Sequence, residues 1–161
     1  MNKPYYQNFY KLQMAMMEKE NDNVLIFGPA ASGKCDALER CIEEYGKEKN
    51  VVLLTRKTAL LMVAYKYPNV TCINWDTSIK NIKPEWFKEN YDIIIIDGYC
   101  ENWQQLVNTF PDKRIIMAVR AESNKDLSTE MKRNFRIVAK CGFTSQDYKT
   151  KGITGVRIYK G

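Results

Sequence analysis

The chain contains no histidine, and its five cysteines include no C-x-x-C pair. Both absences argue against a structural zinc site, which draws on clustered Cys and His ligands. Cys35, Cys41, Cys72, Cys100 and Cys141 are odd in number and scattered, as expected of free thiols in a reducing cytosol. No apolar run approaches the length of a membrane-crossing helix, and the start at Met1-Asn-Lys-Pro4 lacks the apolar segment of a signal peptide. Internal repeats, linkers and low-complexity tracts are missing as well. What remains is 161 residues, 45% hydrophobic and 27% charged, enough for one sizeable core. A single globular domain over 1–161 is therefore expected.

One stretch organises the rest. Val24-Leu-Ile-Phe27 runs into Gly28, Pro29, Ala30, Ala31, Ser32, Gly33, Lys34 and Cys35. This is the phosphate-binding loop pattern G-x-x-x-x-G-K, with cysteine where Ser or Thr is usual. A buried strand delivers the chain to a turn whose backbone N–H groups cradle phosphates. The following helix aims its positive end at the same anion. Lys34 adds a point charge for the β- and γ-phosphates. A bound nucleoside triphosphate, ATP, is the expected ligand, with residues 28–35 as its binding site.

The second element is Tyr91-Asp-Ile-Ile-Ile-Ile-Asp97. Four consecutive isoleucines make a strand buried on both faces, as in the middle of a parallel sheet. Asp97 at its end is placed to hold Mg²⁺ directly or through water; capping of the next helix is the plainer alternative. Cys35 stands where a hydroxyl ligand for that metal is normal, and a soft thiol is a poor substitute. A helix N-terminus and Lys34 should both lower the Cys35 pKa, making it reactive unless nucleotide shields it.

The remaining elements follow from periodicity and punctuation. Tyr5, Phe9, Leu12, Met16 and Met17 mark an amphipathic helix over 4–19, within an N-terminal segment 1–20. Strand 1 at Val24–Phe27 leads to a helix reaching about Tyr45 and ended by Gly46. Strand 2 is Val51–Thr55, a helix spans Thr58–Tyr67 before Pro68, and strand 3 is Val70–Ile73. Pro84 opens a short helix. Glu101–Phe110 is helical, Arg114–Val119 is strand 5, and 123–133 is helical with Ser123 or Asn124 as cap. Phe135–Cys141 and Gly155–Tyr159 alternate like half-exposed strands, giving a hairpin over 134–160. The fold class is α/β, a three-layer sandwich with a mostly parallel sheet.

Charge is uneven along the chain. Residues 1–110 carry 13 basic and 14 acidic side chains, a balance of −1, whereas 111–161 carry 12 and 5, a balance of +7. An anionic partner for the 111–161 region follows as one reading, nucleic acid or a neighbour's nucleotide among them; a solvated basic face is the other.

The catalytic equipment is irregular. Hydrolysis needs a group that orients water, commonly a carboxylate beside the metal-binding aspartate. The residue after Asp97 is Gly98, and the next acid is Glu101, which could instead favour the start of its helix. Arg120, after strand 5, is placed to stabilise transition-state charge within its own chain. Arg133 and Arg136 are candidates to reach a neighbour's site. For each of these arginines, an ordinary surface position is the alternative.

Taken in order, three blocks resemble a known family. They are Leu12–Leu38 with its loop; Tyr91–Glu101, Leu106, Asn108-Thr109 and Ile115–Ser123; and Phe135–Ala139 with Gly155–Ile158. Together they resemble the C-terminal motor domain of the type II/IV secretion ATPases, RecA-like hexameric machines. DNA-pumping translocases of the FtsK/HerA type are the next resemblance. The secretion-ATPase pattern has a glutamate at Gly98, a histidine at Arg120 and an acidic segment after strand 2 that this chain lacks. The resemblance implies an ATPase motor acting as a homo-oligomer in DNA or protein transport, with membrane-associated machinery as partner. A catalytically weak, nucleotide-dependent scaffold is the alternative suggested by Gly98 and Cys35. A small-molecule kinase is the third.

Overall fold

A computed structural model of the chain describes residues 4–30, 32–87, 91–141 and 153–159, apart from the side chains of 4–8 and 154. Its strands are β1 (Val24–Gly28), β2 (Val51–Thr55), β3 (Val70–Asn74), β4 (Ile93–Asp97), β5 (Arg114–Arg120), β6 (Ile137–Cys141) and β7 (Ile153–Ile158). They form one sheet in the order β3-β2-β4-β5-β1-β6-β7, parallel throughout except for the antiparallel β6–β7 pair. The apolar runs read as central strands do lie centrally, and β1, β2 and the four isoleucines of β4 are buried.

Helices α1 (Pro4–Glu18), α2 (Lys34–Tyr45), α3 (Thr58–Ala64), α4 (Trp103–Thr109) and α5 (Thr129–Asn134) cover the two faces. Strand side chains alternate between them. Val24, Ile26, Leu53, Ile95 and Ile116 pack under Phe9, Leu12 and Met16 of α1, Leu38 and Ile42 of α2, and Leu60 of α3. Leu25, Phe27, Leu54, Ile96 and Met117 pack with Trp103 and Leu106 of α4, Met131 of α5, and Trp75 and Ile82 from the segment after β3. The result is the three-layer α/β sandwich, and burial on both faces explains why the strands read as continuous apolar runs.

Several local expectations change. The helix expected over 123–133 is two pieces: a 3₁₀ turn at Asn124–Asp126, then α5. Ser123 Oγ accepts from the Lys125 N–H while the Asp126 carboxylate accepts from the Ser123 N–H, a closed cap that opens the first piece. Ser128 then caps α5 by accepting from the Met131 N–H at 3.1 Å. Helix α3 stops at Ala64, and Glu101 lies in the turn before α4 rather than within it. Met17 is 61% exposed although Met16 is buried, because only the 9, 12, 16 spacing faces the sheet. Part of the expected hairpin, 142–152, lies outside the described residues.

One buried cation ties the layers together at the start of β5. The Arg114 guanidinium donates to the Met16, Lys19 and Asp22 carbonyls and to the Tyr45 hydroxyl, the last at 2.7 Å. It thereby satisfies orphan carbonyls at the end of α1 and favours the negative pole of that helix. Burial pushes the Tyr45 phenol above its usual pKa, with Arg114 pulling the other way. Beside it, the Asn23 carboxamide accepts from the Ile115 N–H and donates to the Asn134 carbonyl. Replacing Arg114 by Met keeps the apolar stem but strands these acceptors, and should cost about 3 kcal/mol. Urea denaturation measures it; a loss under about 0.5 kcal/mol would contradict the role.

Candidate functional site

The carboxyl ends of β1, β4 and β5 meet at one edge of the sheet, where open α/β sheets bind ligands. Register fixes the neighbours: Gly28 lies opposite Arg120, and Asp97 opposite Ala118. Strand β5 thus sits between the loop strand and the Asp97 strand, which brings Arg120 to the loop as expected. The Ala121 N–H donates to the Gly28 carbonyl at 3.0 Å, fastening the strand tip to the loop.

Within the loop, Gly33 has φ 99° and hands over to α2, whose first residue is Lys34. Ser32 is buried, Ala30 is exposed, and Ala31 lies outside the described residues. Gly28 is required sterically, since a Cβ there would run into the Cys141 carbonyl oxygen of β6. Lys34 Nζ folds back onto the loop, donating to the Pro29 carbonyl at 2.6 Å and the Gly28 carbonyl at 3.0 Å. Burial lowers its pKa; Lys57 and Arg120 push the same way, against the Cys141 thiol and Asp97.

Asp97 is held from β2, a connection the sequence reading missed. Its Oδ2 accepts from the Thr55 hydroxyl at 2.8 Å, and its Oδ1 lies 3.4 Å from Lys57 Nζ. The Lys57 N–H donates to the Thr55 oxygen, so the short run Thr55-Arg56-Lys57 is folded around the carboxylate. The neighbouring Arg56 pairs with Asp76 at 2.9 Å and with Asn74 at 3.0 Å. Two paired cations therefore occupy the segment where the resemblance implied acids. The available sequence signal was Thr-Arg-Lys directly after a buried strand at the same sheet edge.

The same region explains Gly98. Its φ is +133°, and a Cβ there would sit 2.5 Å from the Thr77 methyl. Segment 75–82 is pinned over this point: Trp75 is fully buried with its indole N–H on the Asn81 carbonyl, and Asn102 bonds both the N–H and carbonyl of Ile82. No carboxylate side chain fits at 98 without moving backbone. Glu101 is not brought into the group: it is exposed, its N–H donates to the Lys80 carbonyl, and its charge acts on Cys100 instead.

Cys35 corrects the expectation of a reactive thiol. It is half-buried, and that burial raises its pKa; Lys57 pulls down, while Glu39, Asp97 and Asp36 add to the rise. Desolvation and nearby carboxylates outweigh the one cation acting against them, Lys57. A different cleft, of ≈ 440 Å³, is lined by Glu20, Glu44, Tyr45, Asp92 and Arg114 at the opposite strand ends and contributes nothing to the loop edge.

The solved structures bear on this arrangement. The VirB11 ATPase of the Brucella suis type IV secretion system, in complex with sulphate, matches with a TM-score of 0.66 and 13% identity, over 99% of this chain and 59% of that one. The two chains thus share an α/β fold with a mostly parallel sheet. EssC (ATPases 2 and 3) of Geobacillus thermodenitrificans matches with a TM-score of 0.53 and 12% identity, over 81% of this chain and 34% of that one. The chain thus spans about three fifths of the first and a third of the second. No family model matches the sequence, and no curated protein matches it either. Among the described residues, no helix is long and apolar enough to cross a membrane.

The raised Cys35 pKa has a kinetic signature. Iodoacetamide labelling of Cys35 should keep accelerating as pH rises past 9, because the thiolate still gains population there. ATP should slow it at every pH. A rate that levels off below pH 9 would contradict the burial argument.

Proposed function

We propose that the chain binds ATP across Gly28–Cys35 and works as a RecA-like motor domain in the transport of DNA or protein. The carrying observation is electrostatic. Lys34, Lys57 and Arg120 converge around Asp97 at the mouth of a strand–loop–helix turn, with Asp36 in the first turn of the helix. This excess of positive charge, beside the N-terminus of a 12-residue helix, suits a polyphosphate. Lys34 would leave the Pro29 and Gly28 carbonyls to meet the β- and γ-phosphates, and Arg120 would face the terminal phosphate.

Homo-oligomer formation has its own support. Arg136 precedes β6, whose first residue pairs with the first of β1, so it lies at the end of the sheet away from its own loop. Exposed Arg133, in the last turn of α5, leads into the same end. Placed away from their own loop, they would act as arginine fingers in trans on a second subunit's nucleotide. Transport of DNA or protein rests on the likeness to secretion ATPases and on the basic 111–161 region, with membrane-associated machinery as the setting.

A second reading is favoured by the geometry at Gly98: a nucleotide-gated assembly protein without turnover. The position for a water-orienting glutamate is closed by φ and by Thr77.

The test is ATP binding and hydrolysis across a range of protein concentration. Wild type should bind, and Lys34→Ala should bind about tenfold more weakly or worse. Turnover that rises faster than protein concentration supports the oligomeric motor; binding with no turnover selects the assembly reading. Absence of ATP binding by wild type refutes both. Gly98→Glu should not raise turnover and should cost about 1–3 kcal/mol of stability. A faster, equally stable variant would contradict the closed geometry.

A further inference from the structure

The RecA-like fold implies Mg²⁺ beside the phosphates, and the donors present are a poor match for it. Magnesium demands hard oxygen ligands in near-ideal octahedral geometry. The loop position that should offer a hydroxyl is Cys35, whose thiol is soft and, being partly buried, is held in the neutral form. Asp97 is committed on both oxygens, to the Thr55 hydroxyl at 2.8 Å and to the Lys57 ammonium. Among the described residues, no cluster of three or more Asp, Glu, His or Cys side chains is arranged to hold a metal.

What faces Asp97 is a cation supplied by the chain. Lys57 Nζ is 3.4 Å from Oδ1, so an ammonium already stands at the carboxylate from which a metal would be held. Its position is fixed by backbone: Lys57 N–H donates to Thr55 Oγ1, and Thr55 in turn donates to Asp97. The ammonium carries three donors, so one toward Asp97 leaves others for phosphate oxygens. The side chain is 54% exposed, which leaves its head free to turn toward a ligand while the stem stays anchored.

We propose that Lys57 is a resident counter-ion that takes the place of Mg²⁺ in nucleotide binding, so that this chain binds free nucleoside triphosphate without a divalent metal. The proposal rests on the nucleotide-binding reading above and adds to it which species is recognised. Asp97 then serves as a positioning residue for Lys57, and Cys35 is harmless because no metal needs its ligand. Thr55 holds the pair in register.

The experiment is equilibrium binding of a fluorescent ATP analogue to the full chain, in excess EDTA and in excess MgCl₂. It uses wild type, Lys57→Ala and Lys57→Met, with thermal melting of each as a check on folding. Wild type should bind in EDTA within about threefold of its affinity in magnesium, a difference under 1 kcal/mol. Both Lys57 variants should lose about tenfold or more in EDTA and regain affinity in magnesium, because removal of the ammonium uncovers Asp97 for the metal. That conditional rescue would not follow from a merely structural role. Wild-type binding that needs magnesium overturns the inference and leaves the nucleotide reading standing. Variants that bind in EDTA as well as wild type also overturn it. Failure of wild type to bind in either condition removes the nucleotide reading and the inference with it.

Discussion

The geometry of the loop edge depends on a contact at the far end of the sheet. Arg114 is nearly fully buried, and it spends its donors on the last carbonyls of α1 and on Tyr45 at the end of α2. A buried cation must be satisfied or it is strongly destabilising. The arrangement is therefore tolerated in one register of β5 relative to both helices. Strand β5 is the spacer between the loop strand and the Asp97 strand, so its register sets the height of Arg120 against Gly28 and Asp97. Shifting it by one residue would also turn every side chain of β5 to the opposite face. A contact at the far end of the sheet thus determines which charges meet at the loop edge.

At the loop edge itself, the resting state is self-neutralised. Lys34 is turned inward onto carbonyl oxygens, and Lys57 is turned onto Asp97. Lys34 is available only if a stronger acceptor replaces its carbonyls, whereas Lys57 has donors to spare beside Asp97. A polyphosphate would do this for Lys34, because charge-assisted bonds to anionic oxygens exceed those to neutral carbonyls. A weak acceptor would gain too little to displace those carbonyls.

The loop, β1, β4 and Asp97 were legible in the sequence because each is a local pattern with a steric or electrostatic cause. An isoleucine run means burial on both faces, and glycine spacing means backbone approach. The approach of Arg120 to Gly28 was legible too, because a residue just after strand 5 of such a sheet falls beside the loop. The Thr55–Asp97–Lys57 arrangement was not, since it joins residues 42 positions apart through a strand pairing that no short window encodes. Arg114 read as the polar start of a strand, and only the fold reveals the helix end above it. The split at 124–128 was missed because Ser123 and Ser128 are both good caps, and helical spacing alone does not say that one ends what the other begins. Met17 was misassigned for a related reason: adjacent residues on a helix diverge by about 100°, and only one of Met16 and Met17 can point inward.

Gly98 and Thr77 have a bearing on how this chain can change over time. They belong to different segments, yet one methyl group fills the space the other would need. Gly98 cannot be enlarged while Thr77 keeps that methyl, so substitutions at the two positions should have non-additive effects on stability. Acquiring an acidic side chain after Asp97 would require Thr77 to shrink and the backbone at 98 to leave φ +133° together. Single-step variation around this site is confined to versions of the same glycine-bearing turn, and the chemistry of its nucleotide edge is correspondingly difficult to revise.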